Sequence, residues 1–182
     1  MRSTRVLALN GSPRRGGNTD LLLDEILRGA RSRGHSAEKI RLYEREILPC
    51  IDCRRCKQER SGYACAQVDA MREVYPLMEG ADVLVFGTPV YWYAPSAKMK
   101  LLLDRLRPFI ASRGLQGRRG VVVAPSEEGP GCCGPLMEIF QRSFEYLGMV
   151  SGGALLVRAY ERGEVRGSPS DMRAAYDLGA SL

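Results

Sequence analysis

The sequence predicts an α/β fold in which a parallel sheet is covered by helices on both faces, and three observations carry that expectation. Short apolar runs alternate with stretches of helical periodicity along the chain. The runs Leu84–Phe86 and Gly120–Ala124 are almost continuously apolar, as strands buried on both faces require. Loops rich in Pro and Gly follow the first, third and fourth strand-like runs.

The elements can be placed in order. Val6 to Leu9 forms a first strand that stops at the turn-forming NGSP of residues 10–13. A helix follows from about Thr19, with Leu22, Ile26, Leu27 and Ala30 at helical spacing and Gly34 ending the run. Residues 36–41 give a second strand with a weaker signal, because only Ala37 and Ile40 are apolar. Asp82 to Phe86 is a clear third strand ending at Gly87-Thr88-Pro89. Ser96 to Leu106 reads as helix, with Met99, Leu102, Leu103 and Leu106 on one face, and residues 120–124 form a fourth strand. Pro135 to Leu147 is helical, since proline is tolerated in a first turn. A fifth strand lies within Val150–Ala159, followed by a loop over 161–170 and a modest terminal helix. No linker, repeat or low-complexity tract divides the chain. Residues 1–182 are therefore expected to form a single domain, with a cysteine-rich insert at about 48–66.

Composition narrows the function classes. No run of 18 apolar residues is present, and the start, MRSTRVLALNGS, passes from a basic stub straight into a strand. The expectation is a cytoplasmic protein with no membrane contact and with reduced thiols. The net charge of +6 rests on 23 arginines against 4 lysines. The arginines are scattered among acidic residues, and no zinc finger, helix-turn-helix or RNP-like aromatic pattern accompanies them, so no nucleic-acid partner is expected.

In an open parallel sheet, ligands bind beyond the carboxyl ends of the strands, so the three loops should open on one edge. The loop at 10–19, NGSPRRGGNT, has glycines that let backbone N–H groups crowd an anion, and Ser12, Arg14, Asn18 and Thr19 can donate to it. It lacks both the G-K-[ST] ending of a triphosphate loop and the G-x-G-x-x-G of a dinucleotide site. A monophosphate suits so short a cradle; an ordinary turn with Asn18 as helix cap is the bland alternative. After the third strand, GTPVYWYAP at 87–95 combines rigid backbone with three consecutive aromatic residues, a wall for a flat ring. Pro89, Val90, Tyr91 and Trp92 are its candidate contacts, with Tyr93 packing inward or against a partner subunit. A cluster serving only dimerisation is the alternative. The loop PSEEGPGCCG at 125–134 can wrap a ring edge through backbone groups, with Ser126 and Gly129 as candidates and Cys132 and Cys133 incidental. A flavin monophosphate satisfies all three loops.

Segments 10–19 and 87–106 (GTPVYWYAPSAKMKLLLDRL) together resemble the NAD(P)H-dependent FMN reductases of the flavodoxin-like class, close to the branch that includes the iron-sulfur flavoproteins. The resemblance spans roughly residues 5–155. It implies a flavodoxin-like three-layer sandwich with a five-stranded parallel sheet of order 2-1-3-4-5. It further implies FMN phosphate on Ser12, Arg14, Asn18 and Thr19, the flavin ring beside Pro89, Val90, Tyr91 and Trp92, and a homodimer or homotetramer. Hydride chemistry then belongs to the flavin, and no catalytic residue is assigned. Lys98, Asp104 and Arg105 are expected to serve helix packing and surface pairing.

Four cysteines remain: Cys50, Cys53, Cys56 and Cys65. A C-x2-C-x2-C run lets three thiolates from one tight loop cap three irons of a [4Fe–4S] cluster, with Cys65 returning as the fourth ligand. The iron-sulfur flavoproteins carry a compact cysteine motif in this part of the chain, usually with a last gap shorter than the eight residues found here. Zinc, or thiols or a disulfide without metal, are the alternatives. His35, the single histidine, sits in a turn and supports no metal site. Two activities follow: hydride transfer from NAD(P)H through FMN to a flavin, quinone or other small acceptor, or electron transfer between a cluster, FMN and a ferredoxin-like partner.

Overall fold

The computed structural model describes residues 3–58 and 65–182. Five parallel strands, β1 (Arg5–Asn10), β2 (Ser36–Arg41), β3 (Val83–Gly87), β6 (Arg119–Ser126) and β7 (Val150–Arg158), form the sheet in the order β2-β1-β3-β6-β7. A two-residue ladder, β4 (Val90–Tyr91) against β5 (Ala94–Pro95), is inserted after β3. The expected order 2-1-3-4-5 becomes 2-1-3-6-7 once that hairpin is counted, and the flavodoxin-like class is unchanged. The helices are α1 (Asn18–Ser32), α2 (Arg55–Gln58), α3 (Met71–Gly80), α4 (Ala97–Asp104), α5 (Pro108–Ser112), α6 (Gly134–Leu147) and α7 (Pro169–Ala180). Among the described residues no helix is long and apolar enough to cross a membrane.

Alternation along each central strand builds two cores. Leu7, Leu9, Leu84, Phe86 and Val122 face Met78, Met99, Leu102, Phe140 and Phe144 on α3, α4 and α6. Val6, Ala8, Val83, Val85, Val121 and Val123 face Leu22, Leu23, Ile26 and Leu27 of α1 and Ala175 of α7. Phe86 is the anchor of the first core, its ring centroid 5.5 Å from that of Phe140 and 5.3 Å from that of Phe144. All five residues of β3 are buried, whereas the edge strand β2 buries only Ile40, which accounts for its weak sequence signal.

Two expectations shift. The helix drawn over 96–106 ends at Asp104, and Pro108 opens a separate short helix, because proline has no N–H to give the carbonyl of residue 104. The loop at 161–170 contains a 3-10 turn over Glu164–Gly167, which packs beside α1.

Helices α1 and α7 cross at two glycines. A Cβ on Gly29 would lie 2.1 Å from the Tyr176 carbonyl oxygen, and one on Gly179 would lie 1.9 Å from that of Ile26. Backbone rather than side chain is in the way, so the helices must separate to admit a methyl group. Gly29→Ala or Gly179→Ala should therefore destabilise the fold by about 2–3 kcal/mol, read as a lowered denaturation midpoint. An unchanged midpoint would show that the crossing is loosely packed.

Candidate functional site

The ends of β1, β3 and β6 open on one edge of the sheet. There the 11–17 loop is set by backbone approach: Gly11 N–H donates to the Gly87 carbonyl at 2.7 Å, and a Cβ on Gly11 would lie 2.9 Å from Cβ of Met99. Asp20, in the first turn of α1, orders the rest. Its carboxylate accepts from Asn10 Nδ2 and from Gly16 N–H at 2.8 Å each, and is paired with Lys39 at 2.7 Å and Arg41 at 2.6 Å. Asn10 in turn accepts from Ser12 N–H. Burial alone would push the Asp20 carboxyl up, but the Lys39 and Gly16 hydrogen bonds and the two cations hold it below the usual carboxylate range.

Helix α1 begins after Gly17 with no side-chain cap. Asn18 is the first helical residue rather than a cap: its amide donates to the Glu161 carbonyl at 2.8 Å and accepts from Val165 N–H at 3.2 Å. The N–H groups of the first turn, which lack intrahelical partners by construction, face the loop, so an anion is the natural cap here. Ser12 and Thr19 are buried beside them.

The aromatic segment is the β4–β5 hairpin. Trp92 and Tyr93 form its two-residue turn with φ of 51° and 60°. Two left-handed residues are what such a turn demands, but Asn-Gly is the usual choice. Bulky residues there cost about 1–2 kcal/mol each. Trp92 is 95% exposed, and Tyr91 and Tyr93 are exposed as well. The base of the hairpin is fixed by Thr88 Oγ1, which accepts from Ser96 N–H at 2.9 Å, while Ser96 Oγ donates to the Gly11 carbonyl and caps α4.

A cavity of about 410 Å³ joins these parts, lined by Ser12, Arg14, Asn18, Thr19, Pro89, Val90, Tyr91, Trp92 and Ser126, together with Pro125, Glu127, Ala159 and Tyr160. Gly129 is not in its wall. Gly129 sits at φ 81° and its carbonyl accepts from Ser126 Oγ at 2.9 Å and from Cys132 Sγ at 3.3 Å, so it shapes the loop from behind. Cys133 is fully buried, and that burial pushes its thiol up. Sequence reading missed Ala159 and Tyr160. They come from the end of β7, and the Tyr160 carbonyl accepts from Arg14 Nη1 at 3.0 Å.

The insert forms a second feature. Cys50, Cys53, Cys56 and Cys65 all line one cavity of about 20 Å³, with Arg105 and Arg107 in its wall. Asp52 and Arg54, on either side of Cys53, have positive φ. Among the described residues no group of three or more His, Cys, Asp or Glu could hold a single metal ion. Arg105 departs from its expected surface role: it is buried and forms an ion pair at 2.5 Å with Asp69, each side chain 1% exposed. Asp104 does pair at the surface, with Lys100, and Lys98 donates to the Arg45 carbonyl.

The family model of NADPH-dependent FMN reductases matches residues 4–157. The chain belongs to that family. An iron-sulfur flavoprotein of Methanocaldococcus jannaschii is 38% identical over 120 residues, 66% of this chain and 61% of the relative's length. The NAD(P)H-dependent FMN-containing oxidoreductase YwqN of Bacillus subtilis is 26% identical over 182 residues, 96% of each chain. Among solved structures, the NAD(P)H:quinone oxidoreductase from Methanothermobacter marburgensis superposes with a TM-score of 0.75 at 20% identity, over 100% of this chain and 98% of that one, and shows the shared fold. As a family member, this chain is an FMN-dependent oxidoreductase that uses NAD(P)H.

The Asp20 network gives a pH signature. Its folded-state carboxyl lies below the ordinary value, so its contribution to stability is complete above about pH 5 and is lost as pH falls through about 4 toward the folded value. Asp20→Asn should lower stability at neutral pH by about 2 kcal/mol and flatten the decline between about pH 5 and pH 3, read by denaturant midpoints across that range. Parallel curves for the two proteins would refute the assignment.

Proposed function

We propose that this chain holds FMN in the 410 Å³ cavity and catalyses two-electron reduction of a small acceptor, a flavin or quinone, by NAD(P)H. The observation that carries the reading is that one cavity is walled by the N-terminus of α1, which has no side-chain cap, at one end and an aromatic hairpin at the other. Its volume suits a ligand of FMN's class. The fit is supported by the first turn of α1, which has no side-chain cap, and by Ser12, Arg14, Asn18 and Thr19 lining the cavity beside it.

The roles divide by chemistry. Ser12, Thr19 and the first-turn N–H groups of α1 bind the phosphate, and Arg14 supplies a guanidinium at the rim. The Asn18 side chain, tied to Glu161 and Val165, braces the start of α1 against the segment after β7. Pro89, Val90, Tyr91 and Trp92 wall the ring, and Ser126, held from behind by the Gly129 carbonyl, borders its far edge. FMN, when bound, supplies the acceptance and donation of hydride. The protein's share is orientation and exclusion of water from one face of the ring, leaving the other open to nicotinamide and then acceptor. The exposed turn of Trp92 and Tyr93 supports a homodimer or homotetramer in which a partner covers these rings. We take the cytoplasm as its compartment and the whole chain as one domain.

A second reading is favoured by the convergence of four cysteines on one cavity: a [4Fe–4S] cluster on Cys50, Cys53, Cys56 and Cys65, exchanging electrons with FMN and a ferredoxin-like partner. The donor set, a C-x2-C-x2-C run with Cys65 lining the same cavity, suits a cluster in which each thiolate caps its own iron better than the paired knuckles of a zinc site. The guanidinium groups of Arg105 and Arg107 offset thiolate charge.

Anaerobic purification followed by flavin, iron and acid-labile sulfide analysis separates the readings. About one FMN with about four iron and four sulfide per chain supports the electron carrier. FMN without iron leaves the small-acceptor reductase, to be tested by NAD(P)H oxidation with flavin and quinone acceptors. Ser12→Ala and Arg14→Ala should each weaken FMN binding by roughly ten-fold, measured by flavin fluorescence on titration, with the fold unchanged by circular dichroism. Undiminished affinity in both variants would remove the phosphate assignment.

A further inference from the structure

The cysteine insert leaves the fold after Leu48 and returns at Asp69, and a single buried arginine closes its neck. Arg105 follows α4, and its Nη1 donates to the Leu48 carbonyl at 2.7 Å and to Asp69 Oδ2 at 2.5 Å. Its Nη2 donates to Asp69 Oδ1 at 3.1 Å and reaches the Cys65 sulfur at 3.3 Å. Asp69 also accepts from Leu48 N–H at 2.8 Å, so one guanidinium and one carboxylate tie both ends of the insert together. The arginine itself is held: its carbonyl accepts from Tyr75 Oη at 2.6 Å. Its Nε is buried without a hydrogen-bond partner among the described residues.

A pair removed from water at this depth is a poor source of stability, because desolvation offsets most of the attraction. What the fork does supply is geometry, since a planar guanidinium fixes three acceptors in one plane. Two of these acceptors close the neck. The third is Cys65, the one of the insert's four cysteines outside the compact run. Cys65 lies beyond Cys56 by eight intervening residues and packs against the border of the larger core, and Arg105 Nη2 is the donor that its sulfur meets among the described residues.

We propose that Arg105 is the positioning residue for Cys65: with Asp69 it closes the neck of the insert, and its Nη2–H holds the Cys65 sulfur toward Cys50, Cys53 and Cys56 as the fourth ligand of an iron-sulfur cluster. The inference rests on the cluster reading given above. Beyond geometry, a hydrogen bond and a positive charge on a ligating sulfur favour the reduced, more negative state of a cluster, so Arg105 also raises its potential.

The test uses anaerobically prepared full-length protein: wild type, R105K, R105Q and the double variant D69N/R105Q, which replaces the buried charges by amides and guards against misfolding. FMN content reports the fold independently, because Arg105 does not line the FMN cavity. Iron and sulfide per chain, the rate of iron loss to a chelator, and the midpoint potential by EPR-monitored titration report the cluster. The expected result is full FMN occupancy throughout, with iron lost roughly ten-fold faster and a more negative potential in R105Q and D69N/R105Q, and partial recovery in R105K. Wild-type iron retention and potential in the double variant, with FMN retained, would overturn the role of Arg105 while leaving the cluster in place. Wild-type protein that holds FMN but no iron would overturn the cluster reading, and the inference with it.

Discussion

A parallel sheet buried on both faces is the constraint on which the rest of this molecule depends. Hydrophobic alternation along β1, β3 and β6 commits each strand to two cores at once. Parallel strands need crossovers, and the crossovers that supply the helices also deliver the carboxyl ends of β1, β3 and β6 to a single edge. The cavity between the phosphate-type loop, the aromatic hairpin and the 125–134 loop follows from that topology. Its polar lining is affordable because the apolar burial is spent elsewhere.

Two buried carboxylates play matching parts on this scaffold. Asp20 draws Asn10, Gly16, Lys39 and Arg41 together, so the loop after β1 is pinned to its own helix and to the edge strand β2. Asp69 does the same for the insert through Arg105, Leu48 and Met71. Helix α4 links the two regions: Ser96 at its start bonds the Gly11 carbonyl beside the large cavity, and Arg105 at its end reaches the cysteines. Eight helical residues span about 12 Å, so one short helix separates the large cavity from the cysteine insert.

Much of the site was legible before any coordinates. Ser12, Arg14, Asn18 and Thr19 fall in a glycine-rich turn ahead of a helix, and Tyr91 and Trp92 follow a strand too apolar to be anything but central. These are local signals, readable because neighbours in sequence are neighbours in space. Ala159 and Tyr160 were not legible, since nothing in their own residues marks them; they reach the cavity because β7 runs alongside β6. The strain at Trp92 and Tyr93 was equally hidden, because only backbone angles distinguish a left-handed aromatic turn from an ordinary loop.

The sequence by itself determined the fold class, the strands that carry it, the edge on which a ligand would sit and the cysteines that stand apart from the core, all consequences of periodicity and turn chemistry. Tertiary structure alone decided the fate of charge. Arg105 reads as one more surface arginine in a chain that has 23, yet it lies buried against Asp69, 36 residues away in sequence. Whether a charged side chain meets water or a partner depends on long-range packing, and no local pattern of residues encodes that choice.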